Sequence, residues 1–338
     1  MKAGWILLGE KIDLVITWVN GNDEKWRIKR SKYVKKTNKN IDNADNRYRD
    51  YGTLRFSLRS VEKYAPWINK IYIVTDDQRP DWLKDISNRI QIIDHKQIIP
   101  HDILPVFNSN VIEWYIDEIQ GLSNEFIYMN DDMILNNPVK KKDFFKDGLP
   151  VDFRIYTDNV PLKDFNYIQM NNDILMNKYV KNKWPESKKG LIELKYGKKL
   201  LRNIAFGLQA KKTGIPGYLE EHGPSSFLKS SYQSVKEIWN KEIAENNKNR
   251  FRSRLDISIW LIRHYQLEKG IFYPRSYGAN QYCSVNEITK IKKTLFHSKY
   301  KSICINDDNQ GSYNMLRKKE ELRKILLKKF PQKSMFEK

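Results

Sequence analysis

The sequence predicts an α/β protein with a mostly parallel sheet and a helical insertion, on three observations. Short apolar, β-branched runs at residues 12–19 (IDLVITWV), 70–77 (KIYIVTDD), 89–94 (RIQIID) and 126–129 (FIYM) alternate with helical stretches, the pattern of strands covered by helices. Two of these runs lead into paired acids, Asp76-Asp77 and Asp131-Asp132, at the carboxyl ends where open α/β sheets bind ligands. From Pro138 to about Lys212 lysine and asparagine become frequent and strand signals fade, which marks the insertion. The segments expected are 1–137 and 213–312 for a catalytic core, 138–212 for a helical, acceptor-holding insertion, and 313–338 for a basic terminal helix.

Taken in order, the first run is polar only at Asp13 and Thr17 before Trp18 and Val19, so it reads as a buried strand. Asn20-Gly21-Asn22-Asp23 follows; Asn-Gly suits a hairpin, but no partner strand comes next. A loop there, beside Trp18, suits a nucleotide base and diphosphate, although a tryptophan at a strand end is more often core. A basic stretch runs on to about Asn40. Residues 46–64 carry Tyr51, Leu54, Leu58 and Val61 at helical spacing, with Asp50 as the expected N-cap and Pro66 as the stop. Arg47, Arg49, Arg55 and Arg59 form the polar face, which is either solvated or directed at phosphate. A short helix is expected to begin at Asp81-Trp82-Leu83.

Residues 107–135 organise the chain. Ile112, Tyr115, Ile116 and Ile119 share a helical face, and Gly121 stands where a helix terminus wants a left-handed residue. Asn110 and Glu113 have capping-box spacing, which gives Glu113 a structural task beside an active-site one. The strand at 126–129 then opens into Asn130-Asp131-Asp132. Alone, that tripeptide is most often a polar turn; at the end of a central strand it suits a divalent cation with oxygen ligands.

Further on, helical signals appear between Gly190 and Ala210, and His222 stands between two glutamates and a Gly-Pro break. A lone histidine in such a place is more often structural than catalytic. Residues 250–264 read as a helix through Leu255, Ile259, Trp260 and Ile262, on which Arg252 and Asp256 can pair. Another apolar run, 301–309, breaks into Asn306-Asp307-Asp308, and 316–330 alternates leucine and isoleucine with lysine. That last helix is either packed on the domain or suited to an acidic membrane.

With 61 Lys+Arg against 41 Asp+Glu over 338 residues, the formal charge of +20 favours polyanions, acidic membranes or phosphorylated substrates, and a coding bias towards lysine accounts for part of it. Cys283 and Cys304 make neither a disulfide framework nor a zinc spacing and fit a reducing compartment. The opening MKAGWILLGEKID is too briefly apolar for a secretory signal, and no run reaches bilayer length, so the expectation is a cytoplasmic protein able to lie on a membrane. No internal repeat, P-loop or metalloprotease motif is found, and no nucleic-acid recognition signature.

IDLVITWVNGND, NRYRDYGTLRFSLRSVEKYAPWINKIYIVTDDQRPDWL, LPVFNSNVIEWYIDEIQGLSNEFIYMNDDMIL, the His222 and Arg252 segments and CINDD occur in one order. In that order they resemble the conserved regions of the Stealth family, densely over 12–135 and in patches over 215–310. The resemblance implies an enzyme with a fold similar to GT-A nucleotide-sugar transferases. It would transfer a sugar with one phosphate from a UDP-sugar, a UDP-N-acetylhexosamine or UDP-hexose, to a hydroxyl of an acceptor glycan. A phosphodiester would form and UMP would leave. Residue by residue, Glu113, Asp132, His222 and Arg252 fall on the family's essential groups; Trp18, Asn20 and Gly21 fall in its first region, and Asn306 and Asp307 in its last.

Such chemistry calls for Mg²⁺ or Mn²⁺ at Asp131 and Asp132, arginines such as Arg47, Arg59 and Arg252 near phosphate, and His222 or Glu113 as base. The acceptor would be lipid-linked at the inner membrane face. Two other classes compete. An ordinary GT-A glycosyltransferase would release UDP, and a basic nucleic-acid binder would explain the charge but not the acid-tipped strands.

Overall fold

The computed structural model describes residues 11–34, 45–85, 87–307 and 315–338. Readings that fall on residues 1–10, 35–44 and Asp308 lie outside them. β1 (Ile12–Thr17), β2 (Ile71–Thr75), β3 (Ile90–Asp94) and β4 (Glu125–Asn130) are the four strands read from the sequence, and they pair in parallel in the order β3-β2-β1-β4. Later come β5 (Met133–Leu135), β6 (Phe145–Lys146), β7 (Leu149–Asp152) and β8 (Ser225–Leu228), and β8 closes the central sheet antiparallel to β4. β9 (Tyr273–Pro274), β10 (Asn280–Ser284) and β11 (Ser302–Asn306) complete two small sheets, β6-β7-β9 and β10-β11-β5. This is the mostly parallel, helix-covered α/β class expected.

Period-two alternation divides the central strands between two cores. Val15, Tyr72, Val74, Phe126 and Tyr128 face one; Leu14, Ile16, Ile71, Ile73, Ile127 and Met129 face the other. Asp13 is the buried exception in β1. It accepts hydrogen bonds from Asn69 Nδ2 at 2.7 Å, Lys70 N at 3.0 Å and Ser123 N at 2.8 Å, tying together the turns that feed β2 and β4.

Four expectations change on contact with the fold. The helix Thr53–Tyr64 is capped by Gly52 in the left-handed region (φ 74°), and Asp50 instead accepts from Gly52 N at 2.6 Å one turn earlier. Residues 81–83 form a turn rather than a helix, ending in an isolated bridge between Leu83 and Glu337. The span 250–264 is a loop as far as Ile259, and the helix is Trp260–Lys269. The insertion is not purely helical, since it includes β6 and β7. Nor is it a separate body: Tyr156, Leu175, Met176, Val180 and Ala210 join the same core as Val111, Trp114 and Phe126. Its helix Asp164–Val180 packs on Trp260–Lys269.

The basic terminal helix, Met315–Lys329, spends its apolar face inside the protein. Leu322, Ile325, Leu326 and Phe330 are buried with Tyr51, Phe56, Leu295 and Ile303, so those leucines cannot insert into lipid. Arg59 belongs to the same junction. Its Nε and Nη2 donate to the Glu337 carboxylate at 2.7 and 2.8 Å, and its Nη1 to the Phe330 carbonyl at 2.6 Å. Every arm of the buried guanidinium is thus engaged by the C-terminal segment, whereas its assignment to nucleotide would need a free one. Burial opposes the Glu337 charge, but the hydrogen bonds and charge of Arg59 outweigh it and hold the carboxyl below its usual range. Removing one partner of a buried pair strands the other, so Arg59→Ala is expected to cost about 3–5 kcal/mol. Denaturant melts will show that loss with donor KM unchanged; an unchanged melt with a raised KM would return Arg59 to the substrate.

Candidate active site

The carboxyl edge of β1 and β4 is joined by one hydroxyl. The register sets Thr17 beside Asn130, and the Tyr128 hydroxyl lies 2.8 Å from Thr17 Oγ1, 2.8 Å from Asn130 Oδ1 and 2.9 Å from Glu113 Oε1. A phenol has a single proton. With the Thr17 hydroxyl donating to it, Tyr128 donates to the asparagine or the glutamate. Tyr128 and Asn130 share a face by strand alternation, a signal present in the sequence but not used there.

Glu113 begins the 3-10 turn Glu113–Glu118 after the helix Ser109–Ile112, whose N-cap is Asn108. The capping-box role expected for Glu113 is therefore not taken, and its carboxyl turns to Tyr128. Burial raises it to about 7, against the hydrogen bond from Tyr128 and the positive charge of Arg252. Arg252 donates through Nη2 to Ser109 Oγ at 2.6 Å. It does not pair with Asp256 as a helix would allow. Asp256 is instead the anchor of the 250–259 loop, accepting from Asn108 Nδ2 (2.9 Å), Asn110 Nδ2 (3.0 Å), Asn249 Nδ2 (2.8 Å) and Ser253 N (3.0 Å). Its hold on that loop was missed in the sequence because all its partners are polar side chains or turn amides.

Asp131 and Asp132 follow β4 directly. The Asp132 carbonyl accepts from Ile305 N at 2.9 Å and Cys304 Sγ lies 3.4 Å from its Oδ2, while its buried Oδ1 has no hydrogen-bond partner among the described residues. Burial raises both carboxyls; the neighbouring Asp132 and Asp50 raise Asp131 further, whereas the Cys304 thiol and the His222 charge ease Asp132. Two carboxylates short of positive charge, one with an unpartnered oxygen, fit a hard divalent cation. Among the described residues no group of three or more acidic, histidine or cysteine side chains could cage an ion. The set suits a cation that takes its remaining ligands from water and phosphate oxygens.

His222 is exposed beside this pair. Its ring lies 5.1 Å from Tyr282 and 6.2 Å from Phe165 between centroids. Tyr282 is held by Asn306 Nδ2, which donates to its hydroxyl at 2.9 Å. The preceding Glu221 pins the segment to the β10 region, accepting from Arg275 Nη2 at 3.2 Å, Asn280 Nδ2 at 3.1 Å and the Gly278 amide. Phe165 comes from the insertion, whose helix also reaches the Arg252 loop through Asp164 to Arg254 (2.7 Å) and Asn171 to the Asp256 carbonyl (2.9 Å). One helix thus braces both the histidine and arginine loops.

After β1, Asn20 and Gln78 exchange hydrogen bonds, Asn20 N to Oε1 at 2.8 Å and Nε2 to Asn20 O at 3.0 Å. Gly21 N donates to Tyr48 O at 2.9 Å, and a Cβ on Gly21 would overlap that oxygen, which is why glycine stands there. Trp18 is core, as its simpler reading had it, yet its buried Nε1 has no partner among the described residues. Arg47 is exposed in the adjoining turn Asp45–Tyr48. Asp307 is turned to structure: its carboxylate accepts from Arg49 Nη1 at 3.0 Å and Tyr51 OH at 3.1 Å. Glu113 beside Arg252, and Asp132 beside His222, therefore flank β4, one pair through Tyr128 and the other just past its end, with Asn20 and Gly21 in the loop after β1, while Arg59 and Asp307 serve the scaffold.

Residues 10–37 match Stealth protein CR1, conserved region 1, and residues 47–152 match Stealth protein CR2, conserved region 2. The chain is 40% identical over 331 residues to the exopolysaccharide phosphotransferase cps2G of Lactiplantibacillus plantarum, covering 97% of this chain and 96% of the relative. It is 37% identical over 332 residues to the capsular polysaccharide phosphotransferase WcwK of Streptococcus pneumoniae, covering 97% and 99%. A far looser likeness, with a TM-score of 0.40 and 10% identity over 92% of this chain and 95% of the other, is to the galactosyltransferase LgtC in complex with donor and acceptor sugar analogues.

Proposed function

This chain belongs to the Stealth family of phosphotransferases, and on that premise we propose that it transfers a sugar 1-phosphate from a UDP-sugar to a hydroxyl of an acceptor glycan in the synthesis of a surface polysaccharide. The acceptor oxygen bonds to the phosphorus that carries the sugar. The bond from that phosphorus to the bridging oxygen breaks, UMP leaves with the electron pair, and the product is a phosphodiester. The hydroxyl proton passes to His222, the exposed imidazole of the site. Arg252 balances charge on the phosphates, and Glu113, shared with Tyr128, accepts a hydrogen bond from a donor hydroxyl. Asp131 and Asp132 would hold Mg²⁺ or Mn²⁺, which neutralises diphosphate charge.

The observation that supports this best is the unpartnered Asp132 Oδ1 in a pair of charge-starved carboxylates beside an exposed histidine. The donor is a UDP-N-acetylhexosamine or UDP-hexose, and the acceptor a lipid-linked glycan at the inner face of the membrane. Among the described residues no helix is long and apolar enough to cross one. Incubation with a UDP-sugar, Mg²⁺ and acceptor oligosaccharides will release UMP and form a phosphodiester visible by ³¹P NMR. Release of UDP with a glycosidic product overturns the reading in favour of an ordinary glycosyltransferase.

A further inference from the structure

Large apolar side chains are exposed unevenly over this surface. Of the thirteen exposed among the described residues, eight fall between Val160 and Leu208. Four of these eight lie on one helix, Lys199–Thr213, and the turn before it: Ile192 is 71% exposed, Leu194 88%, Leu201 76% and Leu208 77%. Leu201 and Leu208 are seven residues apart, two turns of helix, so they share a face with the exposed Ala205 between them. Among the fifteen residues of this helix only Asn203 and Ala210 are buried. An exposed apolar stripe of this kind marks a contact surface rather than ordinary scatter.

Charge decides what it contacts. Residues 160–213 contain twelve lysines and arginines against four acids, and Lys198, Lys199, Lys211 and Lys212 flank the stripe at both helix ends. A second copy of a chain carrying +20 is repelled by such a face, whereas an acidic bilayer is attracted to it. Leucines between lysines are the composition of helices that lie in a lipid interface. The position is also apt, since the same insertion touches His222 through Phe165 (6.2 Å between ring centroids). We propose that the helix Lys199–Thr213 and the turn carrying Ile192 and Leu194 dock the enzyme on an anionic membrane surface. This deepens the membrane-proximal part of the reading above by naming the surface, and it replaces the terminal helix, whose apolar face is buried.

The test is sedimentation of the full chain with vesicles of phosphatidylcholine, with and without phosphatidylglycerol, beside turnover on a soluble acceptor. Binding to the anionic vesicles alone, weakening as salt rises, is expected. The pair Leu201→Ser and Leu208→Ser should raise the vesicle dissociation constant at least tenfold while turnover stays within twofold, and Lys211→Glu with Lys212→Glu should do the same. The parent ignoring anionic vesicles at low salt overturns the proposal, as does unaltered vesicle binding by the leucine pair. A change in solution mass by light scattering without a change in vesicle binding would make the stripe a protein interface and equally overturn it. Vesicle binding without UMP release would leave the docking surface standing and remove the reaction, so the two failures are distinct.

Discussion

Asp132→Asn is expected to leave a folded protein whose turnover falls by about three orders of magnitude or more. The argument rests on charge. Asparagine keeps the size of the side chain and keeps an oxygen near the Cys304 thiol, so β5 and β11 lose little. What it removes is the negative charge that burial already makes costly, and with it the affinity for a cation. A cation neutralising a diphosphate contributes several kcal/mol to the barrier, and each 1.36 kcal/mol is tenfold in rate. EDTA should lower the parent to a similar level, with Mg²⁺ or Mn²⁺ restoring it but not rescuing the variant. A circular dichroism melt unchanged by the substitution, alongside the lost turnover, is the expected pair of readings. An Asp132→Asn enzyme with most of its activity would sink the metal assignment at this residue.

The second large effect concerns proton transfer. His222→Ala should slow the chemical step by about two to four orders of magnitude while nucleotide binding is largely kept. Glu113→Gln should lower turnover too, but its signature is in pH. Burial raises the carboxyl to about 7, and only the ionised form makes the strong, charge-assisted hydrogen bond to a donor hydroxyl. The rate of the parent therefore rises as pH climbs through about 7, and Glu113→Gln flattens that limb, whereas His222→Ala leaves it in place. The sign for stability is opposite. An acid raised from 4.5 to about 7 on folding contributes stability that is full below 4.5 and is lost as pH rises through 7. Glutamine never ionises, so Glu113→Gln should be the more stable protein at pH 8, by on the order of 3 kcal/mol. A limb through about 7 that persists unchanged in Glu113→Gln would overturn the role given to the ionised Glu113.

The strands and the acid turn were legible because each signal is local, whereas Glu113, Asp132, His222 and Arg252 were picked out by the family resemblance. Alternating apolar runs marked β1 to β4, and the position of Asn130-Asp131-Asp132 followed from strand length alone. What was not legible is which polar partner a side chain meets far along the chain. Arg59 looked like a phosphate ligand because its helix face is basic, and its partner Glu337 is 278 residues away. Asp307 looked like a nucleotide residue, yet Arg49 and Tyr51 claim it. The terminal helix misled for a related reason: an amphipathic pattern says that a face is covered, not by what. In the span 250–259, turn amides and asparagine amides converging on Asp256 outweigh helical periodicity, because a buried carboxylate requires several donors.

The hydroxyl contacts and loop anchors of the cleft and its scaffold join residues very distant in sequence: Thr17 meets Tyr128 across 111 positions, Asn108 meets Asp256 across 148, and Arg49 meets Asp307 across 258. Each such closure costs chain entropy before it returns any contact energy, so topology of this kind folds slowly. β1 to β3, by contrast, are drawn from residues 12–94 and pair as neighbours. On dilution from denaturant, helix and strand signals should therefore recover well before catalytic competence, and partly refolded molecules will present an ordered sheet with no working cleft.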